Sequence, residues 1–284
     1  MMNSNTQIVV PDMTGQLAVI TGASDGIGLA LAARLAAAGA DLVLPVRNLD
    51  KGQRVVERIR TETPAADVTL LPVDLSSLQS VADLAGELLA WGGRPVNVLI
   101  NNAGVMSHPP GRPPPMASNC NGGTNHLAHF ALTARLLPLL VAGGNARVTT
   151  QSSIAARTNG INWDDLNFER SYSEAKAYSQ SKIANLLFGL ELDRRSAAAG
   201  WGGITSNVSH PGGVTPTNLL RAQPHMGRSR DTLQFRAVKA LSRLGLLNRS
   251  AEEGDAARAV CGDGHTRGGR QVLRAERIPA PRGS

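Results

Sequence analysis

The chain has 284 residues, enough for one α/β domain with a full hydrophobic core. No apolar run reaches ~18 residues, which argues against a membrane span, and residues 1–12 lack the pattern of a secretory signal. The formal net charge is +7, but residues 1–220 carry 16 basic and 16 acidic side chains, so the excess lies beyond them. With only 3% aromatic residues, this distribution argues against a nucleic-acid partner.

Strand-like and helical patterns alternate along the chain. The expected strands are 17–21, 42–46, 68–73, 96–101, 147–150 and 205–209. The expected helices are 27–38, 50–62, 78–90, 125–140 and 174–199. This alternation predicts an α/β fold, a Rossmann-type doubly wound parallel sheet flanked by helices on both faces. Ligands of such sheets bind outside the carboxyl ends of the strands.

A glycine pattern, Gly-x-x-x-Gly-x-Gly, separates the first strand from the first helix. Glycines let the backbone turn tightly beside a pyrophosphate, and the helix N-terminus supplies free N–H groups and a positive dipole. The pattern therefore predicts a dinucleotide phosphate site, with a ligand-free glycine turn as the alternative. The predicted contacts are Gly22, Ser24, Asp25, Gly26, Ile27 and Gly28.

The second strand ends in Arg47 and Asn48 without a carboxylate. Folds of this kind that prefer NAD place an acidic residue here to accept from the ribose 2′-hydroxyl. The planar guanidinium of Arg47 suits a 2′-phosphate instead. We therefore expect NADP, with NAD less favoured. An exposed loop arginine without a ligand is the alternative.

Tyr178 and Lys182 stand four residues apart in the longest predicted helix. Residues at this spacing share a helix face, so the phenol and the ammonium can point at the same spot. A nearby cation favours phenolate, and we expect Lys182 to lower the pKa of Tyr178 toward the range of a general acid or base. Taken alone, such a pair more often lies on an exposed helix face and has no function in catalysis.

The motifs occur in the order seen in the short-chain dehydrogenase/reductase family. After the glycine pattern come residues 101–104 (Asn-Asn-Ala-Gly), Ser153, Tyr178 with Lys182, and residues 210–212 (His-Pro-Gly). Residues 124–130, 164–167 and 181–188 resemble the retinol-dehydrogenase and protochlorophyllide-reductase-like branch. The resemblance covers about residues 15–220 and implies a single dinucleotide-binding oxidoreductase domain over 1–284, flexible at 1–12 and acting on a small molecule without a metal.

The resemblance also assigns further cofactor contacts. It implies that Asp74 and Leu75 hold the adenine edge and that the backbone after the fourth strand passes close to the nicotinamide ribose. Beyond the sixth strand, the chain would meet the nicotinamide end. These last two sets are Asn102, Ala103 and Gly104, and Pro211, Gly212, Val214 and Thr215.

The implied chemistry is hydride transfer between nicotinamide and a carbonyl or alcohol. Tyr178 would exchange the proton, while Lys182 would hold the ribose and lower the pKa of the tyrosine. Ser153 would hydrogen-bond the substrate oxygen, with Ser152 as its rival. Asn125 would hold a water that links Lys182 to solvent, although alone it reads as a helix cap. Reduction of a carbon–carbon double bond, or a catalytically weak dinucleotide-binding protein, are the alternatives.

Residues 219–247 are expected to form a substrate lid, whose apolar side chains fit a hydrophobic substrate or simple core packing. The family often forms homodimers or homotetramers, and we expect one of them here. The two cysteines, Cys120 and Cys261, provide no disulfide framework and fit a reducing, cytoplasmic location.

Two segments depart from the family pattern. Residues 108–121 contain a proline run that cannot begin a helix, and residues 255–284 replace the expected last strand. One possible coding of each segment, read out of frame, gives family-like sequence. We interpret each as a frameshift or as a divergent loop and tail, alternatives that the coding DNA and the intact mass would separate.

Overall fold

The computed structural model describes residues 9–106, 120–201 and 203–211. Within them, six parallel strands form one sheet in the order β3-β2-β1-β4-β5-β6. The strands are β1 Leu17–Ile20, β2 Asp41–Val46, β3 Val68–Pro72, β4 Val98–Asn101, β5 Arg147–Gln151 and β6 Thr205–Ser209. All six predicted strands are present, so the predicted doubly wound parallel sheet is confirmed.

The predicted helices are also present. They are α1 Gly26–Ala37, α2 Leu49–Glu62, α3 Leu78–Leu89, α5 Ala128–Ala142 and α6 Glu174–Ala199. A single α-helical turn, α4 Cys120–Gly122, and a π-helical turn, Gly123–Leu127, precede α5, and a 3₁₀ turn, Ile154–Arg157, follows β5. The helix predicted to start at residue 125 therefore starts earlier and changes its hydrogen-bonding pattern where Asn125 lies.

The fourth strand begins at Val98, later than predicted, although the backbone of Asn97 still bonds to both neighbouring strands: its N–H donates to the carbonyl of Leu17 at 3.0 Å and its carbonyl accepts the N–H of Arg147 at 2.8 Å. Asn97 also bonds through its side chain. Its amide oxygen accepts the N–H of Leu17 at 2.9 Å, and the N–H of Val96 turns to the carbonyl of Leu139 at 3.1 Å. These bonds give partners to the polar groups of a segment in which Val96 is buried and Asn97 is half-buried.

Alternate residues of β1 face opposite layers, as the period of a strand requires. Ala18 and Ile20 pack with residues of α1 and α2, whereas Leu17 and Val19 pack with residues of α3 and α5. The sheet is therefore covered on both faces. Its strand order reverses between β1 and β4, and the carboxyl ends of these two strands define the crevice in which folds of this class bind ligands.

Several predictions lie outside the described residues. They concern the first eight residues of the flexible start 1–12, the segment 108–121 apart from its last two residues, the lid 219–247 and the tail 255–284. The frameshift hypothesis for the two atypical segments therefore stays a prediction.

Candidate active site

The glycine turn after β1 packs directly against the backbone that follows β4. Gly22 has φ +68°, and a Cβ built on it would lie 2.8 Å from the Cα of Ala103. A Cβ on Gly28 would lie 2.6 Å from the side-chain nitrogen of Asn102. These two glycines are required by close approach of two loops.

Gly26 differs from them, because it has φ +53° and a Cβ built on it would meet nothing within 4 Å. The space before the N-terminus of α1 is therefore open, where free N–H groups and the helix dipole favour a phosphate. Asp25 caps this helix: its Oδ1 accepts the N–H of Gly26 at 2.7 Å, and its Oδ2 pairs with Lys51 Nζ at 3.0 Å. Ser24 and Ile27 are half-buried in the same turn.

Thr21 and Asn102 join the two loops. The amide of Asn102 donates to the carbonyl of Thr21 at 2.9 Å, and the backbone N–H groups of Asn102 and Ala103 donate to the Thr21 hydroxyl at 3.0 and 3.1 Å. Gly104 continues this loop toward α6, since a Cβ on it would lie 3.5 Å from Lys182 Nζ. The predicted phosphate and nicotinamide segments therefore form one continuous surface.

The ends of β2 and β3 carry the remaining predicted cofactor residues. Arg47 and Asn48 are exposed and line an open depression with Leu49 and Asp50. Asn48 also caps α2 by accepting the N–H of Lys51 at 2.8 Å. This depression lies at the carboxyl end of β2, where the fold class places the adenosine ribose.

Asp74 has a structural task beside its predicted one. Its Oδ1 accepts the N–H and the hydroxyl of Ser76 at 2.9 and 2.7 Å, which forms the turn leading into α3. The carboxylate is exposed, and Leu75 is half-buried against the core beneath it. Pro211 is half-buried just after β6, while Gly212, Val214 and Thr215 lie outside the described residues.

Tyr178 lies buried on α6, 7% exposed, and hydrogen-bonds Ser153. Burial raises its pKa above the ordinary value, and the hydrogen bond from Ser153 only partly opposes this. The prediction that Lys182 lowers the pKa of Tyr178 is therefore wrong for this arrangement. The Lys182 ammonium lies 5.7 Å from the centre of the tyrosine ring, a contact with the ring face.

Lys182 is anchored elsewhere. Its Nζ donates to the backbone carbonyl of Gln151 at 3.0 Å, and the side-chain amide of Asn185 donates to the same oxygen at 3.0 Å. Burial lowers the pKa of Lys182 to about 8, because the low-dielectric surroundings disfavour the ammonium. The end of β5 thus fixes the lysine close to Tyr178.

Asn125 holds the loop after β4 against α6. Its Oδ1 accepts the N–H of Val105 at 2.7 Å, and its Nδ2 donates to the carbonyl of Val105 at 2.9 Å and to Ser181 Oγ at 3.0 Å. The side chain is buried and lies inside the π-helical turn, so the alternative reading as a helix cap is wrong. Its predicted water link to Lys182 stays a prediction.

The two serines after β5 have different partners. The Ser152 hydroxyl donates to the backbone carbonyl of Lys182 at 2.8 Å and is buried. Ser153 is half-buried, hydrogen-bonds Tyr178 and accepts the N–H of Ala155 at 3.2 Å. The geometry therefore favours Ser153 over Ser152 as the partner of a substrate oxygen.

Sequence reasoning did not assign roles to four residues that shape this site. Gln151 accepts from Lys182, and Asn185 donates to the same Gln151 carbonyl. Ser181 binds Asn125, and Lys51 contacts the capping carboxylate of the glycine turn. Asn185 lies three residues after Lys182, a spacing that places both on one helix face and could have been used. Gln151 acts through its backbone carbonyl, which no sequence pattern reveals.

Within the described segments, no group of three or more His, Cys, Asp or Glu side chains is placed to hold a metal ion. None of the helices described here combines the length and apolar character needed to cross a bilayer.

Fold and site together define a dinucleotide-binding α/β protein with a serine, a tyrosine and a lysine beside its ligand crevice. Residues 16–226 match the family model described as short chain dehydrogenase, and the chain belongs to this family. Its similarity to retinol dehydrogenase 13 of Homo sapiens, among other relatives, places it in the retinol-dehydrogenase-like branch.

Two curated relatives and one solved structure illustrate the similarity. Mus musculus polyprenol dehydrogenase is 39% identical over 222 residues, which cover 75% of this chain and 64% of that protein. Human retinol dehydrogenase 13 is 39% identical over 208 residues, 73% of this chain and 61% of that protein. The Pseudomonas aeruginosa RhlG/NADP active-site complex is 26% identical with TM-score 0.64, covering 88% of this chain and 90% of that one. The matched region thus spans less than two thirds of either curated relative.

Proposed function

We propose that this chain is an NADP(H)-dependent oxidoreductase that transfers a hydride between nicotinamide and a carbonyl or alcohol substrate. The observation that carries the proposal is the buried Tyr178, hydrogen-bonded to Ser153 and fixed beside Lys182. Nicotinamide supplies the hydride. The residues of the chain bind and orient the reactants and handle the proton.

Tyr178 is the proton donor in the proposed reaction. Its raised pKa keeps the phenol protonated at neutral pH, so it can donate to the oxygen of a carbonyl during reduction. Ser153 holds the same oxygen and stabilises charge that develops on it. The ammonium of Lys182 adds a positive field when it is charged. Because its pKa is about 8, Lys182 gains or loses this charge close to physiological pH.

A dinucleotide fits the residues present. The open space before Gly26 lies at the positive end of α1, and Gly22 and Gly28 let the loops after β1 and β4 pack closely beside it. The RhlG structure is a complex with NADP, which supports a nicotinamide dinucleotide as the ligand of this fold.

A preference for NADP over NAD rests on the end of β2. Arg47 is exposed at the depression there, and Lys51 lies one turn further, 3.0 Å from Asp25. A 2′-phosphate bound in this depression would pair with the Arg47 guanidinium, a charge-assisted contact that favours the phosphorylated cofactor.

A hydrophobic alcohol or carbonyl compound is the substrate class that we propose. Ile154, next to Ser153, is 60% exposed although apolar, and Leu166 is 48% exposed. The curated relatives are named for retinol and polyprenol, which are apolar alcohols. The exposed apolar side chain of Ile154, adjacent to Ser153, offers such a substrate a contact surface.

The test is a panel of aldehydes, ketones and enones of increasing apolar length, each with NADPH and with NADH. The proposal expects turnover of aldehydes or ketones with NADPH, faster for the longer members. Turnover restricted to enones would instead show the alternative, a carbon–carbon double-bond reductase. Binding of NADPH without turnover of any member would show the other alternative, a dinucleotide-binding protein with little activity.

We further propose a homodimer or homotetramer and a cytoplasmic location. Apolar side chains on the outer faces of α5 and α6 support self-association, because such a patch is costly to leave in water. The residues are Phe130, Leu187 and Leu190, together with Leu127 at the end of the π-helical turn, each 40–55% exposed. Light scattering of the purified chain tests the first proposal, and fractionation of expressing cells tests the second.

A further inference from the structure

His129 is a fully buried titratable residue that the proposed chemistry does not use. It lies in the first turn of α5 with 0% exposure. Its Nε2 is 2.9 Å from the Thr21 hydroxyl, and its Nδ1 is 3.0 Å from the backbone carbonyl of Asn125. The ring therefore bridges the end of β1 and the π-helical turn.

The partners determine where the hydrogens lie. A carbonyl oxygen can only accept, so Nδ1 carries a hydrogen and donates it to Asn125. Burial lowers the pKa of His129 to about 4, so the ring is neutral at pH 7 and Nε2 is an acceptor. The Thr21 hydroxyl consequently donates to Nε2.

This direction decides what Thr21 can do for the cofactor loop. A hydroxyl has one hydrogen and two acceptor sites. Once the hydrogen points to Nε2, both acceptor sites face the N–H groups of Asn102 and Ala103, at 3.0 and 3.1 Å. The competing acceptor, the carbonyl of Ile100, is 3.3 Å away and already accepts the N–H of Thr21 at 3.0 Å.

We propose that His129 is a positioning residue that orients the Thr21 hydroxyl and so fixes residues 102–103 for cofactor binding. The inference rests on the proposed function, because it concerns the same cofactor crevice. It acts through a single tautomer, with hydrogen on Nδ1. The other neutral tautomer would direct a third N–H at the Thr21 oxygen, which has only two acceptor sites, and would leave the Asn125 carbonyl facing a bare nitrogen.

The tautomer can be measured without cofactor or substrate. Nitrogen-15 NMR of the labelled, unmodified chain at pH 7 distinguishes the two ring nitrogens, and the His129 ring is assigned through its own backbone amide. A neutral ring with hydrogen on Nδ1 is the expected result. Hydrogen on Nε2, or a charged ring, would overturn the proposal. If the chain fails to bind NADPH at all, the proposed function fails. The measured tautomer would still show whether His129 orients the Thr21 hydroxyl.

Two substitutions separate the two bonds of the ring. His129→Gln can place an amide oxygen near the Nε2 position and keep Thr21 oriented, whereas His129→Asn reaches only the Nδ1 position. We expect NADPH to bind His129→Asn about three- to tenfold more weakly, as for one lost hydrogen bond. His129→Gln should stay within about threefold of the unmodified chain. The loss should appear in KM for NADPH more than in kcat, because it affects binding in the ground and transition states alike.

Thr21→Val supplies the second half of a double-mutant cycle. Because His129 acts through the Thr21 hydroxyl, adding His129→Asn to Thr21→Val should weaken NADPH binding no further. Additive effects would contradict the proposal. Thr133→Val is the matched control: its buried hydroxyl lies one turn further along α5 and accepts from Asn101 at 3.0 Å. This control should lose stability but keep its NADPH affinity within about twofold, and an equal loss of affinity would reduce His129 to a packing role.

Discussion

At the scale of single residues, burial shifts the pKa values of the two titratable groups of the site in opposite directions, away from each other. It raises the pKa of Tyr178 and lowers that of Lys182 to about 8, because both charged forms lose hydration. Neither shift arises from a tyrosinate–ammonium pair, since Lys182 donates to Gln151. Tyr178 is therefore preorganised as a protonated acid.

Removing this acid should stop chemistry and spare binding. Tyr178→Phe deletes only the hydroxyl, so we expect kcat to fall by ~10²–10⁴-fold while NADPH affinity is retained. Single-turnover kinetics and cofactor titration measure the two quantities. The other tyrosine of the chain provides the control: Tyr172→Phe removes a hydroxyl that is bonded to Asn121, and it should keep kcat within a few-fold. Activity retained in Tyr178→Phe would show that another group supplies the proton.

Cofactor choice is expected to depend on one side chain. If Arg47 pairs with a 2′-phosphate, NADPH should bind more tightly than NADH by about 1.5–3 kcal/mol, as for a charge-assisted hydrogen bond. Arg47→Asp should reverse the preference by repelling the phosphate and accepting from the ribose hydroxyl. Calorimetric titration with both cofactors measures this. Arg54→Asp is the control, because it changes an exposed charge further along α2 and should leave the preference intact. Equal affinities of the unmodified chain for NADPH and NADH would refute the role of Arg47.

At the scale of elements, α6 serves two environments along its 26 residues. Its N-terminal half turns Tyr178, Ser181 and Lys182 inward as buried polar side chains, each with a partner. Further along, Gly189 lies against Val208 of β6 so closely that a Cβ would collide with the valine side chain. The missing side chain lets this helix approach the sheet closely.

Filling this contact should destabilise the fold. Gly189→Ala inserts a methyl group against a β-branched side chain that cannot rotate away freely, and we expect a loss of about 1–3 kcal/mol in the free energy of unfolding. Gly86→Ala in α3 is the matched control, because a Cβ there meets nothing within 4 Å. That change should stabilise the chain by about 0.4–1 kcal/mol. Urea unfolding measures both, and a Gly189→Ala chain as stable as the control would contradict the close packing.

At the scale of the whole molecule, His129 couples the stability of the fold to pH. Its pKa is about 4 in the folded chain against an ordinary value of 6.5, through burial and the nearby Lys182 and His126. Between these two pH values the unfolded chain binds the extra proton. The contribution of His129 is therefore fully present above about pH 6.5 and is lost as pH falls toward 4.

We expect the unfolding free energy to decrease from pH 6.5 to pH 5 with a slope approaching ~1.4 kcal/mol per pH unit from this residue. His126 adds in the same direction because burial also lowers its pKa. Urea unfolding at closely spaced pH values measures the slope. In His129→Gln, which cannot titrate at this position, the unfolding free energy should depend less steeply on pH than in the unmodified chain. Identical slopes would contradict a neutral His129 in the folded state.

The sequence alone determined the order of strands and helices, because alternating apolar periods and glycine turns are local signals. It also singled out Tyr178, Lys182 and the glycine turn as candidates, through the order of several motifs along the chain and not through any one spacing. Tertiary structure decided the rest: that Lys182 turns to the carbonyl of Gln151, that Ser152 is committed to the backbone of α6, and that His129 bridges β1 and the π-helical turn. The bonds of Lys182 to Gln151, of Ser152 to Lys182 and of His129 to Thr21 join residues 30 to 108 positions apart, and the first two use backbone carbonyls, which every residue type shares. Burial likewise set the direction of the tyrosine pKa shift, because desolvation depends on what the fold packs around the phenol.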